Sequence, residues 1–411
     1  MLVDRLKWAI NKSHRENKKL AILFLDLDHF KDINDTLGHD VGDQLLKETA
    51  QRLQTCIRET DTLARLGGDE FTIIMSELDD PRNIDRVALC IQQSMTRPFQ
   101  LKKECCHVSF SIGIALYPDD ANDTTELLKK ADQAMYVAKQ QGRNRSCYFT
   151  PSMQAAAETR LRLVNDLHTA LSDDQFWVAY QPIVELATGD LHKAEALIRW
   201  QHPTRGLISP AEFIPVAEST GTIIEIGEWV FRQAVEQVGK WRADGHPLFQ
   251  ISVNKSPSQF RDKDDNHGNW SAYLKQIGLP GACILVEITE GLLLDVSLGV
   301  AEKLIAFRDN GIQVALDDFG TGYSSLSFLN KFHIDYLKID QSFISNLTEH
   351  SADLILCEAV ILMAHKLGMK VIAEGIETTA QRDLLLQAGC DYGQGYLFSK
   401  PVSAEEFERL F

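Results

Sequence analysis

The chain has no apolar run near the ~18 residues needed to cross a bilayer, and its N-terminus lacks the basic-then-apolar order of a secretion signal. A soluble chain with no membrane segment is the expectation. Its eight cysteines show no CxxC pair and no matching histidine spacing, so neither a zinc site nor a disulfide framework organises the fold. Reduced thiols are the plain reading. Positive charge is also scarce. Lys and Arg number 42 against 58 Asp and Glu, a net charge of -16, which excludes a nucleic-acid polymer as the main partner because backbone binding needs clustered cations. A small nucleotide delivered with metal ions stays compatible. Short-period repeats and low-complexity segments are missing as well.

What is present is an apolar content of 44%, that of a globular protein, over 411 residues, a length that exceeds one ordinary core and predicts two domains. The first half alternates as strand (20–27), helix (41–56), strand (62–66), strand (71–76), helix (83–96), strand (108–117) and helix (124–141). This βαββαβ order predicts a ferredoxin-like, palm-type α/β sheet. Gly67-Gly68-Asp69-Glu70 joins two of the strands as a tight hairpin, in which glycine lets a ligand approach the backbone.

Residues 142–146 turn basic and irregular, and 153–171 carry Leu161, Val164, Leu167 and Leu171 at helical spacing. The expected division is a first domain at 1–149, a connecting helix within 150–172 and a second domain at 173–411. In the latter, strands at about 176–185, 191–198, 249–254, 283–288, 313–318, 335–340, 369–374 and 393–398 alternate with helical stretches. About 240 residues in this order suit one (β/α)8 TIM-type barrel, whose usual size is ~250.

Seven residues that bind metal or move protons recur at the C-terminal ends of these strands: Glu195, Asn254, Glu287, Asp317 with Asp318, Lys338 and Glu374. In a parallel barrel, polar residues converge at that rim. Carboxylates so placed cannot stay unpaired, because like charges a few ångströms apart repel strongly; divalent cations would resolve the conflict. Hard oxygen ligands favour Mg²⁺ or Mn²⁺.

Together with EALIRW around Glu195, SVNKS at 252–256, EITE at 287–290, DDFGTGYSSL at 317–326, KID at 338–340, AEGIE at 373–377 and QGY at 394–396, these residues resemble an EAL-domain cyclic di-GMP phosphodiesterase. The resemblance implies that Glu195, Asn254, Glu287 and Asp317 hold one metal, that Asp317 bridges, and that Asp318 and Glu374 serve a second. It implies that Lys338 orients the attacking water and stabilises negative charge, that Gln394 lies near that water, that Glu377 steadies the loop at 319–325, and that Arg199 meets a substrate phosphate. The loop itself is rich in Gly and Ser, as a lid or dimer-contact segment would be.

In the first half, Arg65-Leu66-Gly67-Gly68-Asp69-Glu70-Phe71, with Asp26-Leu27-Asp28-His29-Phe30-Lys31 and Asn34, resembles a GGDEF-domain diguanylate cyclase, which joins two GTP into cyclic di-GMP across two half-sites of a homodimer. The resemblance implies metal binding by Asp26, the Leu27 carbonyl and Asp69, guanine recognition by Asn34 and Asp43, and phosphate neutralisation by Lys139 and Arg143, read as four apart on the last helical stretch. Arg58 and Asp61 stand where such cyclases carry an inhibitory product site. The family's usual DxLTGLxNR segment is not found before the helix at 2–13, as expected of a cytoplasmic fragment from a longer parent, itself compatible with anchoring in the inner membrane.

Three functions follow as expectations. In one, the chain both makes and breaks cyclic di-GMP. In another, the first half is a non-catalytic GTP-binding regulator of the phosphodiesterase. In the third, both halves are inactive and the chain is a receptor, against which Glu195, Asp317, Asp318 and Lys338 weigh heavily.

Overall fold

The computed structural model describes residues 2–78, 80, 82–101, 104–261, 270–294, 298–320 and 332–411. The chain divides into two compact units, Met1–Leu161 and Arg162–Phe411. The division falls inside a single helix, α6 below, and each unit is a separate α/β body.

The first unit contains, in order, α1 (Leu2–Glu16), β1 (Lys19–Leu27), α2 (Phe30–Leu37), α3 (His39–Cys56), β2 (Thr62–Gly67), β3 (Glu70–Leu78), α4 (Arg82–Met95), β4 (Phe99–Leu101), β5 (Glu104–Cys106), β6 (Phe110–Tyr117), α5 (Thr124–Gln140), β7 (Arg145–Tyr148) and the start of α6 (Pro151–Ala170). The sheet order is β2-β3-β1-β6-β7, antiparallel except for the β6–β7 pair. That is the expected ferredoxin-like order with one strand added. β1 is apolar on both sides because both faces of the sheet are covered. Leu23 and Leu25 pack with Leu45, Leu53 and Ile91, while Leu20, Ile22 and Phe24 pack with Leu6, Ala131 and Met135.

Two local devices set α5 in place. Asp123 caps its N-terminus by accepting from the backbone N–H groups of Thr125 and Glu126, a contact worth about 1 kcal/mol. Gly113 of β6 lets the helix lie directly on the sheet, since a Cβ there would stand 1.9 Å from the Ala131 carbonyl oxygen. The helix ends at Gln140, so Arg143 is not on it as expected. Gly142, at φ 107°, reverses the chain, and the Arg143 N–H closes back on the Ala138 carbonyl. Helix α2, the β4–β5 hairpin and β7 were not anticipated, because each is too short for its periodicity to register.

The second unit is a closed barrel. Its strands are β8 (Phe176–Glu185), β9 (Leu191–His202), β10 (Gly206–Ile208), β11 (Gln250–Asn254), β12 (Ile284–Thr289), β13 (Gln313–Phe319), β14 (Tyr336–Ile339), β15 (Lys370–Ala373) and β16 (Tyr392–Gln394). Strand order runs β9-β11-β12-β13-β14-β15-β16-β8, and β8 closes the ring onto β9; short β10 adds to the outside of β9. Seven strands of the ring are parallel. The departure is β8, antiparallel to both neighbours, because the short link 186–190 makes a hairpin with β9 where a helical crossover would be needed for parallel pairing.

Strand alternation explains how the interior is layered. Ile183, Leu285, Ala315, Tyr336, Ile372 and Tyr392 form a separate buried apolar cluster. Each stands two residues from a polar side chain on the same face of its strand: Gln181, Glu287, Asp317, Lys338, Glu374 and Gln394 in turn. An apolar plug therefore underlies a polar ring. No helix among the described residues is long and apolar enough to cross a membrane.

Candidate active site

Lys338 is the centre of the polar ring. Its side chain is 1% exposed, and its Nζ lies 2.6 Å from Glu374 Oε1, 2.8 Å from Glu287 Oε2, 3.3 Å from Asp317 Oδ1 and 3.7 Å from Glu195 Oε2. Four strands and the residue that follows β15 supply these groups, which brings together residues up to 179 positions apart in the chain (374 minus 195). Asn254 Nδ2 donates to Glu195 Oε1 at 2.7 Å, and Gln394 Nε2 donates to Glu195 Oε2 at 2.6 Å. Asp317, Asp318 and Glu374 place ligand oxygens within 4.8 Å of one another.

One cation faces four carboxylates at close range, and the ionisation of each group reflects that imbalance. Burial alone would strip Lys338 of its proton, yet Asp317, Glu195, Glu287 and Glu374 hold its pKa well above the usual lysine value. Burial pushes Glu287 well above the carboxylate range, with Glu195 adding to it, and pushes Glu374 up to about 7. Burial also acts upward on Glu195, but Lys338, Gln394 and Asn254 together bring it below its ordinary value. Asp318 is raised by burial and by Asp317 beside it. Glu287 Oε1 is buried with no hydrogen-bond partner. A hard divalent cation would satisfy both the excess charge and the orphan oxygen, so the donor set fits such a metal.

The backbone presents the two aspartates differently. Asp317 continues β13 inward, whereas Asp318 takes φ 55° and its N–H donates to Asp317 Oδ1 at 3.0 Å. Asn and Asp tolerate this left-handed conformation better than most residues. Beyond Gly320 the expected loop at 319–325 lies mostly outside the described residues. Arg199, half-buried on β9, donates to the Ile198 carbonyl and feels Glu195 and Tyr396. With Asn254 and Glu287 it lines a largely apolar cavity of about 240 Å³, to which Ile198, Pro210, Ile214 and Ile223 contribute. Glu377 is exposed outside the ring, where its backbone N–H meets Gln381 Oε1.

One buried polar residue of the ring escaped sequence reasoning. Gln181 of β8 accepts from Gln394 Nε2 at 3.0 Å and lies in register with Glu195. Its only sequence signal is a polar side chain, followed by Pro182, inside an otherwise apolar strand.

In the first unit, Asp26 lies next to last in β1, opposite Glu70, and the Leu27 N–H reaches the Asp69 carbonyl at 3.4 Å, so Asp26, Leu27 and Asp69 are brought together. Lys139 pairs with Asp26 Oδ2 at 2.7 Å; burial raises the Asp26 pKa despite that contact. Asn34 of α2 lies against Gly42 of α3, next to exposed Asp43, and its Oδ1 is buried without a partner. Arg143 is exposed. Asp61 accepts from the Arg58 backbone N–H at 3.0 Å, so this pair also forms a turn.

The sequence matches the EAL domain family over residues 164–401 and the "Diguanylate cyclase, GGDEF domain" family over residues 1–145. The chain belongs to the EAL family. A GGDEF domain precedes the barrel. It is 41% identical over 409 residues to the bifunctional diguanylate cyclase/cyclic di-GMP phosphodiesterase MucR of Pseudomonas aeruginosa, covering 99% of this chain and 59% of that protein. To the cyclic di-GMP phosphodiesterase PdeR of Escherichia coli it is 38% identical, covering 99% of this chain and 61% of that protein. It thus spans about three-fifths of the length of these relatives. A solved structure titled PaMucR phosphodiesterase, c-di-GMP complex, is 37% identical with a TM-score of 0.57, covering 60% of this chain and 99% of the other. The EAL enzyme Bd1971, bound to cAMP and cyclic di-GMP, is 27% identical with a TM-score of 0.58, covering 83% of this chain and 81% of the other.

Proposed function

We propose that the barrel hydrolyses cyclic di-GMP to linear pGpG and that the first unit binds GTP and joins two GTP into cyclic di-GMP as one half-site of a homodimer. The observation that carries the first activity is the convergence of Glu195, Glu287, Asp317 and Glu374 on Lys338. A binding-only module has no use for four carboxylates, two of them buried, around one lysine, whereas phosphodiester hydrolysis needs cation ligands and a fixed positive charge together.

Glu195, Asn254, Glu287, Asp317, Asp318 and Glu374 would hold Mg²⁺ or Mn²⁺, with Asp317 shared between two ions. Bound there, the metal supplies an acidified water and Lewis-acid polarisation of the phosphoryl oxygens. Lys338 stays charged among its carboxylates, so it orients the attacking water and stabilises negative charge on the phosphoryl group. Arg199 faces a substrate phosphate, and Gln394 contributes a buried acceptor beside Glu195. A single positioned water favours one in-line attack, which opens the ring and leaves the second phosphodiester intact.

The division 1–149, 150–172 and 173–411 assigns GTP to the first segment and cyclic di-GMP to the last. In the first segment Asp26, the Leu27 carbonyl and Asp69 would bind metal, Asn34 and Asp43 guanine, Lys139 and Arg143 phosphates, and Arg58 with Asp61 inhibitory product. Asn34 Oδ1, a buried acceptor without a partner, supports the guanine assignment, since guanine offers donors on its edge. Incubating the chain separately with GTP and with cyclic di-GMP in Mg²⁺ or Mn²⁺, and resolving products by chromatography, tests both activities. Formation of pGpG is expected. An unchanged cyclic dinucleotide would refute the barrel assignment.

A further inference from the structure

Gln394 has an amide whose two ends do opposite jobs, and the structure shows which way it points. Its Nε2 donates to Glu195 Oε2 at 2.6 Å and to Gln181 Oε1 at 3.0 Å, while its Oε1 is buried with no partner. A buried acceptor left empty is unfavourable, so this oxygen is poised for a donor that arrives with the reaction, such as a water or a substrate N–H.

Of the two acceptors that fix the amide, Glu195 is the less constant. It also accepts from Asn254 Nδ2 at 2.7 Å and lies 3.7 Å from Lys338 Nζ, and on the reading above it gives lone pairs to a cation. Gln181 is neutral and has no such second duty. Its own amide is fixed because its Nε2 donates to the Ser399 carbonyl at 3.2 Å, which leaves Oε1 facing Gln394. It is 8% exposed and lies on β8, the antiparallel strand that closes the barrel, in register with Glu195.

We infer that Gln181 is a positioning residue for the phosphodiesterase: through the relay from the Ser399 carbonyl to Gln181 to Gln394, it keeps the Gln394 Oε1 turned to the reacting water or substrate once Glu195 is engaged by metal. The inference rests on the hydrolytic reading of the barrel. It predicts a residue whose loss damages turnover only through Gln394.

The test is a double-mutant cycle with Gln181→Met and Gln394→Met, reading kcat for cyclic di-GMP opening and, separately, cyclic di-GMP affinity by calorimetry in Ca²⁺. Gln181→Met should lower kcat about 10- to 50-fold with affinity changed less than threefold, and should add no more than a twofold loss to Gln394→Met. Gln181→Glu, which keeps an acceptor toward Gln394, should recover part of the rate, and thermal unfolding of each variant reports folding independently. Full additivity of the two losses, or an affinity that falls in step with kcat, would overturn the role. A wild-type chain that leaves cyclic di-GMP intact would instead refute the hydrolytic reading, so the two failures are distinct.

Discussion

Replacing Lys338 by Met removes one buried positive charge and leaves its four carboxylates, at 2.6, 2.8, 3.3 and 3.7 Å, without it. At an effective dielectric near 20, each lost attraction is worth roughly 4–6 kcal/mol. The desolvation of the lysine offsets part of the sum, and breaking a buried charge cluster typically costs a net ~3–5 kcal/mol. The metal-free variant should therefore unfold more easily by about that amount, or take up a proton on Glu287 or Glu374, both already raised by burial. A divalent cation then meets a more negative site. Calorimetric titration with Mg²⁺ or Mn²⁺ should show binding at least about tenfold tighter than in the wild type, a change of only about 1.4 kcal/mol and well within one lost attraction. Turnover should fall about 10²- to 10³-fold, the usual cost of removing a donor that stabilises developing charge. Affinity and rate thus move in opposite directions. If Lys338→Met loses metal affinity as completely as it loses rate, lysine is holding the site together and its assigned role is wrong.

Chelation with EDTA should abolish ring opening, and Glu195→Ala should do the same while weakening metal binding; full activity of either by chromatography refutes the metal-dependent reading. Lys193, buried below the ring and held by Gln250 and Tyr336, has its pKa lowered to about 8 by burial and then by Lys370. Its folded pKa lies below the unfolded one, so the unfolded chain binds more protons between about pH 8 and 10.5 and stability rises across that window, by up to about 3 kcal/mol. Relative to Lys193→Met, the wild type should gain in denaturant titrations from pH 7 to 10; a difference independent of pH contradicts the shift. In the first unit, Asp69→Ala should abolish cyclase turnover, and wild-type turnover per subunit should fall steeply on dilution because two half-sites must meet. A rate per subunit that stays constant over a hundred-fold dilution excludes the half-site scheme. A non-hydrolysable GTP analogue should change ring opening modestly, since a ligand shifts an equilibrium only by its differential affinity for two states; an unchanged rate with binding confirmed would make the units independent.

The sequence alone determined that the chain holds two domains, and with that most of the long elements, because periodicity sustained over a long run is a property of neighbouring positions. It also placed Glu195, Asn254, Glu287, Asp317, Lys338 and Glu374 on successive strands, since each follows or lies within an apolar run and carries a group with few uses away from chemistry. Short pieces such as α2 and β7 hold too few residues to show a period, and the spacing of Lys139 and Arg143 by four looks helical even though α5 ends at Gln140 and a glycine at φ 107° intervenes. Only the tertiary structure decided that Lys338 is the centre of the ring, that β8 runs antiparallel, and that Gln181 holds Gln394 from 213 positions away. Hydrogen bonds and ion pairs between distant strands depend on how the barrel closes. That closure is set by strand register and packing of the apolar plug beneath the ring, neither of which is encoded in any single stretch of the chain.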